Sequence, residues 1–310
     1  MTGRKRGERG RSQSTKDLIQ VSREIIEERA PIGVRGIAYV LFAVHNLIPD
    51  MSKQSTDKVS RLITDMREEG LVAWSAIVDE SRTIESEPGW ENPAECFEVF
   101  AQSYRRDFWR DSAYRVIVIS EKATVSGLLR PVIDRWGVSY FPAHGFNSAT
   151  RVKELVEEMN SDPRRYICLY CGDWDPSGMW MSEQDWFITG SDSRYPGSTE
   201  RSNRLIRYGA DPKRFTWSRI ALTQEDLPGL PSFPAEEKKA DPRYKWFIQN
   251  YGNRAFEIDA LDPRVFRDRV EMHIKRYINP GAWQRHIVVE AAQRQSTRLF
   301  AAQMAQMGAE

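Results

Sequence analysis

The sequence predicts an α/β protein: an N-terminal, mostly α domain followed by a mostly parallel sheet flanked by helices. Three observations carry that expectation. Residues 17–75 place their apolar side chains at the three-and-four spacing of short helices. RVIVIS (115–120) and YICLYC (166–171) are continuous apolar runs, the mark of strands buried on both faces of a parallel sheet. From residue 115 onward, such strands alternate with helical stretches. A length of 310 residues leaves room for two domains, each with a real core.

In chain order, apolar residues at 18, 19, 21, 25 and 26 predict a helix over Asp17–Glu28, which Pro31 breaks. A second helix is expected from Val34 to Asn46. A third, starting after the polar turn Ser52–Ser55, carries Val59, Leu62, Ile63 and Met66 inward. Glu69-Gly70 ends it, and LVAWSAIVD (71–79) reads as a strand. Three helices and a strand pair make the winged form of the helix-turn-helix DNA-binding motif. A connecting helix follows at about 93–109. Beyond it come a strand at 115–120, a helix at 124–136, a strand at 138–141 and a helix at 148–159. The strand at 166–171, shorter strands at 219–223 and 255–258, and helices at 262–278 and 282–308 complete the pattern. The expected organisation is an arm (1–16), a winged-helix domain with its connecting helix (17–112), an α/β domain (113–280) and a C-terminal helix (281–310).

Charge is unevenly placed. The 45 Lys+Arg and 44 Asp+Glu nearly cancel, yet residues 1–16 carry Arg4, Lys5, Arg6, Arg9, Arg11 and Lys16 against Glu8 alone. The arm is therefore +5 and the rest of the chain −4. Being Gly/Ser-rich without apolar periodicity, it is expected to be disordered. A basic arm suits a phosphate backbone, and it equally suits a solubilising tail. The N-terminus has no apolar stretch of the secretory type, and the longest apolar run, Gly36–Val44, is far short of the ~20 residues of a membrane span. Three cysteines are too few for a disulfide framework. A cytoplasmic protein without membrane contact is expected.

Ligands of open parallel sheets bind beyond the carboxyl ends of the strands. Glu121 stands there after the first strand, His144 and Gly145 after the second, and Asp173 and Asp175, in CGDWDPSG (171–178), after the third. In an extended Asp-x-Asp both carboxylates point to one side. Three such carboxylates raise one another's pKa, and a divalent cation relieves the repulsion. All-oxygen ligation suits Mg²⁺, with Mn²⁺ as a substitute, and such a site serves phosphoryl chemistry.

A glutamate ending the first strand and D-x-D-x-x-G after the third resemble the Toprim domain, shared by topoisomerases, bacterial primases and several nucleases. GDWDPSG is most similar to the version in the topoisomerase VI A subunit and the meiotic double-strand-break proteins. HGFNSATR (144–151), EIDAL (257–261) and the order of winged helix before Toprim domain are similar too. The likeness spans about residues 30–280 and is strongest over 115–180. It implies that Glu121, Asp173 and Asp175 bind Mg²⁺, and that the family's Arg-x-x-x-Tyr element falls on Arg35 and Tyr39 in VRGIAYVLF. On a helical wheel Val34, Ile37, Ala38, Leu41 and His45 form the core stripe, leaving Arg35 and Tyr39 on the far side. Tyr39 is then a candidate nucleophile steadied by Arg35, or a surface or DNA-packing residue. Ala38 replaces the family's usual second aromatic residue. Related Toprim proteins of bacterial defence systems hydrolyse DNA with metal alone, so that route stays open beside tyrosine attack.

Lys122 is a candidate for holding the scissile phosphate, by similarity to Glu-Lys pairs in other Toprim proteins, or a plain surface lysine. Cys168 and Cys171 are expected as core thiols, His144 as a structural hydrogen-bonding residue, and Trp180 and Trp186 as packing residues. The resulting expectation is a Mg²⁺-dependent enzyme cleaving double-stranded DNA as a homodimer, with an ATPase partner subunit if it acts as a topoisomerase. The alternative is a non-catalytic DNA-binding regulator, or a subunit of a larger DNA-processing or defence complex, with a vestigial metal site.

Overall fold

The apolar spacing of the N-terminal segment produces a small helical core. In the computed structural model, which describes residues 12–78, 89–90, 92–120, 122–143, 149–185 and 204–307, helix α1 (Gln13–Arg29) opens on Ser12, whose hydroxyl accepts from the Thr15 amide. Strand β1 (Ile32–Gly33), α2 (Val34–Ala43) and α3 (Lys53–Glu68) follow, with Ser52 capping α3. Leu18, Ile26, Ile37, Leu41, Val59 and Ile63 meet between the three helices. The strand expected over 71–79 is shorter than its pattern suggests. Residues Trp74–Ala76 form a 3₁₀ turn, and only β2 (Ile77–Val78) pairs, in parallel, with β1. The reason lies in Trp74, which is 59% exposed. It packs under the Arg67 guanidinium, 4.2 Å from the ring centre, instead of facing the core.

Helix α4 (Pro93–Ser103), capped by Asn92, stops well before the expected 109. Past Ser103 its backbone groups find tertiary partners: the Tyr104 carbonyl accepts from Arg294 (3.0 Å), and the Arg106 amide donates to Glu290 (2.8 Å). These replace the helical hydrogen bonds that would otherwise favour continuation.

The larger part of the chain is built on β3 (Tyr114–Ser120), α5 (Ala123–Trp136), β4 (Ser139–Pro142), α6 (Ala149–Ser161) and β5 (Arg165–Cys171). The short α7 (Pro176–Trp180) continues into a π-helical turn at Met181–Asp185. Next come α8 (Arg204–Arg207), β6 (Phe215–Ala221), β7 (Phe233–Pro234), α9 (Tyr244–Tyr251), β8 (Arg254–Ala255), α10 (Pro263–Lys275) and α11 (Pro280–Met307). Strands β4-β3-β5-β6 form one sheet in that order, every pair parallel, with Ile117 opposite Cys168. Side-chain alternation divides β3 and β5 between two cores. Val116, Val118, Ile167 and Leu169 pack with Leu129 of α5 and Phe266 of α10. Ile117, Ile119, Cys168 and Tyr170 pack with Val152 and Val156 of α6 on the other face.

The architecture is thus mixed α/β, an N-terminal helical region joined to a parallel-sheet core. Cys168 and Cys171 are buried on opposite faces of the sheet, and burial pushes the Cys168 thiol up to about 12. Trp180 packs edge-on against Trp246, ring centres 5.0 Å apart. Among the described residues no helix is long and apolar enough to cross a membrane.

Candidate functional site

At the carboxyl end of β5 the chain runs through Gly172–Asp175 and turns into α7. Its exchange of backbone hydrogen bonds with Phe256, two bonds of 2.9 Å through Trp174, draws the segment after β8 alongside. That pairing lays Glu257 and Asp259 beside Asp173. Lys122, at the start of α5, reaches into the group: its Nζ lies 3.1 Å from Asp173 Oδ1, 3.2 Å from Glu257 Oε2 and 2.9 Å from Asp259 Oδ2. Arg35 of α2 grips Glu257 from the other side, with Nε and Nη2 each 2.5 Å from a carboxylate oxygen. Thr124 donates to Asp259 Oδ1 at 3.2 Å, and the Ile258 amide to Asp173 Oδ1 at 2.8 Å. Two cations therefore face three carboxylates, in a joint between the helical region and the sheet.

Asp175, 5% exposed, is employed differently. Its Oδ1 accepts from the Gly178 amide (2.7 Å), capping α7, and its Oδ2 lies 3.5 Å from Lys238 Nζ. Replacing Asp175 by Ala should lower stability by about 1 kcal/mol, the usual worth of an N-cap. The Asn variant, which keeps the acceptor, should recover most of it; equal urea midpoints for Ala and wild type would rule out the capping role.

The expected metal site does not form. Among the described residues, no group of three or more His, Cys, Asp or Glu side chains is arranged to hold a metal ion. Glu121, one of the three expected ligands, lies outside the described residues. The donor set of the other two does not fit a divalent cation. Asp173 gives Oδ1 to Lys122 and the Ile258 amide, and both oxygens of Asp175 are taken by Gly178 and Lys238. The repulsion that seemed to demand Mg²⁺ or Mn²⁺ is relieved by ammonium and guanidinium groups of the chain itself. This overturns the expected Mg²⁺ cofactor, and with it the reading as a metal-dependent DNA-cleaving enzyme, whether nuclease or topoisomerase-like.

The electrostatics follow the geometry. Burial pushes the Asp173 carboxyl up to about 6; Lys122 and the Ile258 amide pull it back, while Asp175 and Asp259 add to the rise. Lys122 is held charged: burial opposes its ammonium, but Asp173, Asp259 and Glu257 together raise its pKa. Tyr39 is also placed otherwise than the helical wheel implied, being 5% exposed where a residue clear of the core was expected. It lies near Glu257 and Lys122, with the Arg35 guanidinium 5.9 Å from its ring centre. Burial and the nearby Glu257 carboxylate raise its phenol pKa, and Arg35 and Lys122 only partly offset them. The hydroxyl is thus held in its protonated form.

Lys122 stands where the sequence anticipated a functional cation, bound here to carboxylates. The basic arm residues Arg4, Lys5, Arg6, Arg9 and Arg11, together with His144, Gly145 and Trp186, lie outside the described residues. Glu257 and Asp259 were visible only as part of EIDAL; their alternation around a core isoleucine is the signal that they share a side. Arg219 went unnoticed. From β6 it donates to the carbonyls of Gly172 (2.7 Å), Asp173 (2.5 Å), Gly178 (3.0 Å) and Leu222 (2.5 Å), and to the Ser182 hydroxyl (2.9 Å). One guanidinium thus clasps the whole Asp-x-Asp turn from beneath. An arginine inside the apolar strand segment RIALT was the available hint.

Comparisons with protein-family models, with curated proteins and with solved structures returned no match.

Proposed function

We propose that this chain is a non-catalytic DNA-binding regulator, or a subunit of a larger DNA-processing or defence complex, whose strand-end carboxylates are a vestigial metal site serving as a structural ion-pair core. The carrying observation is Lys122 in contact with Asp173, Glu257 and Asp259. A part-buried cation there gives the cluster a structural task, engaging each of the three carboxylates. The resemblance to the winged-helix and Toprim arrangement of topoisomerase VI A-like proteins supplies the DNA half of the reading. Helix α3 supports it, because in a winged-helix arrangement the third helix is the one that enters the major groove. Over its first nine residues the exposed side chains include Lys53, Gln54, Lys58 and Arg61 against the single acid Asp57, with further acids at Asp65 and Glu68 beyond. The basic arm adds phosphate-seeking charge at the level of sequence.

The test is duplex DNA binding followed by fluorescence anisotropy across a salt series. Affinity should fall steeply with salt. Changing Lys53, Lys58 and Arg61 together to Gln should reduce the slope of log K against log[salt] by about 2–3, roughly one for each phosphate no longer neutralised. Absence of binding at low salt, or a slope indifferent to the three changes, would overturn the DNA reading. Supercoiled plasmid should stay intact with Mg²⁺ or Mn²⁺; nicking that disappears in Asp173→Ala would overturn the non-catalytic one.

A further inference from the structure

The segment after α4, the end of α5, α10 and α11 enclose a cavity of about 580 Å³, within the ~300–1,000 Å³ of small-molecule sites. We infer that it binds a nucleoside phosphate, the base against a wall of aromatic rings and the phosphate on Arg105 and Arg106. The cavity is separate from the ion-pair core. Lys122 precedes the first turn of α5 and Trp136 ends it, so the two sites stand ~20 Å apart along a 14-residue helix.

The ring wall is Phe108, Trp136 and Trp283, each half-buried. Trp283 holds the other two in place, its ring centre 4.7 Å from that of Phe108 and 5.1 Å from that of Trp136. The Trp136 indole N–H is fixed as well, donating to Glu271 at 3.0 Å. Rings locked against one another give a planar base a stacking surface that is already ordered.

Charge selects the rest of the ligand. Five cations and three carboxylates line the cavity, and the carboxylates are engaged. Glu271 lies 2.9 Å from Lys275 and 3.5 Å from Arg135, Glu290 3.0 Å from Arg294, and Asp134 4.0 Å from Arg130. Arg105 and Arg106 are left with neutral partners. Arg105 donates to the Asp134 carbonyl, and Arg106 to His286 Nδ1 at 3.0 Å and Gln293 Oε1 at 3.3 Å. Among the described residues, neither guanidinium forms an ion pair. Two neighbouring guanidiniums without a counter-ion call for an anion. Phosphate, with three terminal oxygens, serves both forks at once, and the rings beside them demand that it carry a planar group.

The probe is ATP, titrated calorimetrically into the full-length protein with EDTA present so that no metal takes part. One-to-one binding in the micromolar range is expected. Adenosine, which lacks the phosphate, and tripolyphosphate, which lacks the ring, should each bind at least about tenfold more weakly. Arg105→Glu should weaken ATP at least about tenfold, while Arg110→Glu, an exposed arginine of the same segment outside the cavity, should not. Trp136→Leu should erase the preference for ATP over tripolyphosphate; should that variant fold poorly, the ligand comparison on the wild type decides alone. Displacement of ATP by a 5′-phosphorylated single-stranded oligonucleotide assigns the occupant to a strand end, and its failure to displace assigns a free nucleotide. The variant with Lys53, Lys58 and Arg61 changed to Gln should bind ATP as the wild type does, so this site and the DNA reading fail separately. No ATP binding, tripolyphosphate bound as well as ATP, an affinity unmoved by Arg105→Glu or lowered equally by Arg110→Glu, or one lost with the α3 changes would each overturn the site.

Discussion

Replacing Lys122 by Met should destabilise the protein by about 3–5 kcal/mol at neutral pH, the cost of leaving a buried charge without its partner. Asp173, Glu257 and Asp259, each with a side chain no more than 12% exposed, lose their shared cation together. The loss should carry a pH signature. In the folded protein the Asp173 carboxyl is pushed up to about 6, against about 3.9 for an unfolded aspartate. Between those values the folded state holds a proton that the unfolded chain has released. The contribution of this group to stability is therefore full below pH ~4 and lost as pH rises through ~6. Lys122 is the main influence pulling that pKa down, so its removal moves the upper edge of the window higher still. Acidification from pH 7.5 to 5 should thus restore more stability to Lys122→Met than to the wild type. Urea midpoints at the two pH values measure it; a variant as stable as wild type, or one whose deficit is the same at both, would refute the ion-pair core.

Gly178→Ala should cost at least about 3 kcal/mol, at the upper end of overpacking. A Cβ at position 178 would lie 2.3 Å from the Asp173 carbonyl oxygen and 3.1 Å from its carbon, so backbone must move. That backbone is poorly able to yield. Arg219 holds the carbonyls of Gly172, Asp173 and Gly178, and Asp175 holds the Gly178 amide. Gly281→Ala provides the contrast: at the start of α11 its added methyl meets the Asn279 side chain at 3.5 Å, an ordinary contact. That change should be neutral or slightly stabilising. Thermal melts of the two variants side by side decide the matter, and similar small shifts in both would remove the argument for a clamped turn.

The sheet was legible because β3 and β5 are buried on both faces, which leaves continuous apolar runs that no loop or amphipathic helix imitates. The positions of α1, α2 and α3 followed from spacing for the same reason, since each buries one stripe. What spacing does not convey is a second burial. Helix α2 lies between its own core and the turn at 258–260, and a Cβ on Gly36 would stand 3.5 Å from the Asp259 carbonyl. The wheel that set Tyr39 apart from the first core said nothing of the second surface that covers it. The carboxylates were likewise foreseeable from the strand ends, but their counter-charge was not. Arg35 and Glu257 are 222 residues apart, and no local pattern links them. Like charge at a strand end states that a cation is needed without stating whether an ion or a side chain provides it.

The Arg35–Glu257 pair also sets a timetable for biosynthesis. At translation rates of ~5–20 residues per second, Arg35 precedes its partner out of the ribosome by roughly 10–45 s. During that interval the first three helices have their own apolar centre to assemble on, while Tyr39 and Arg35 wait on an unfinished face. The nascent protein thus passes that interval with the face uncovered, until the late-emerging EIDAL stretch covers it.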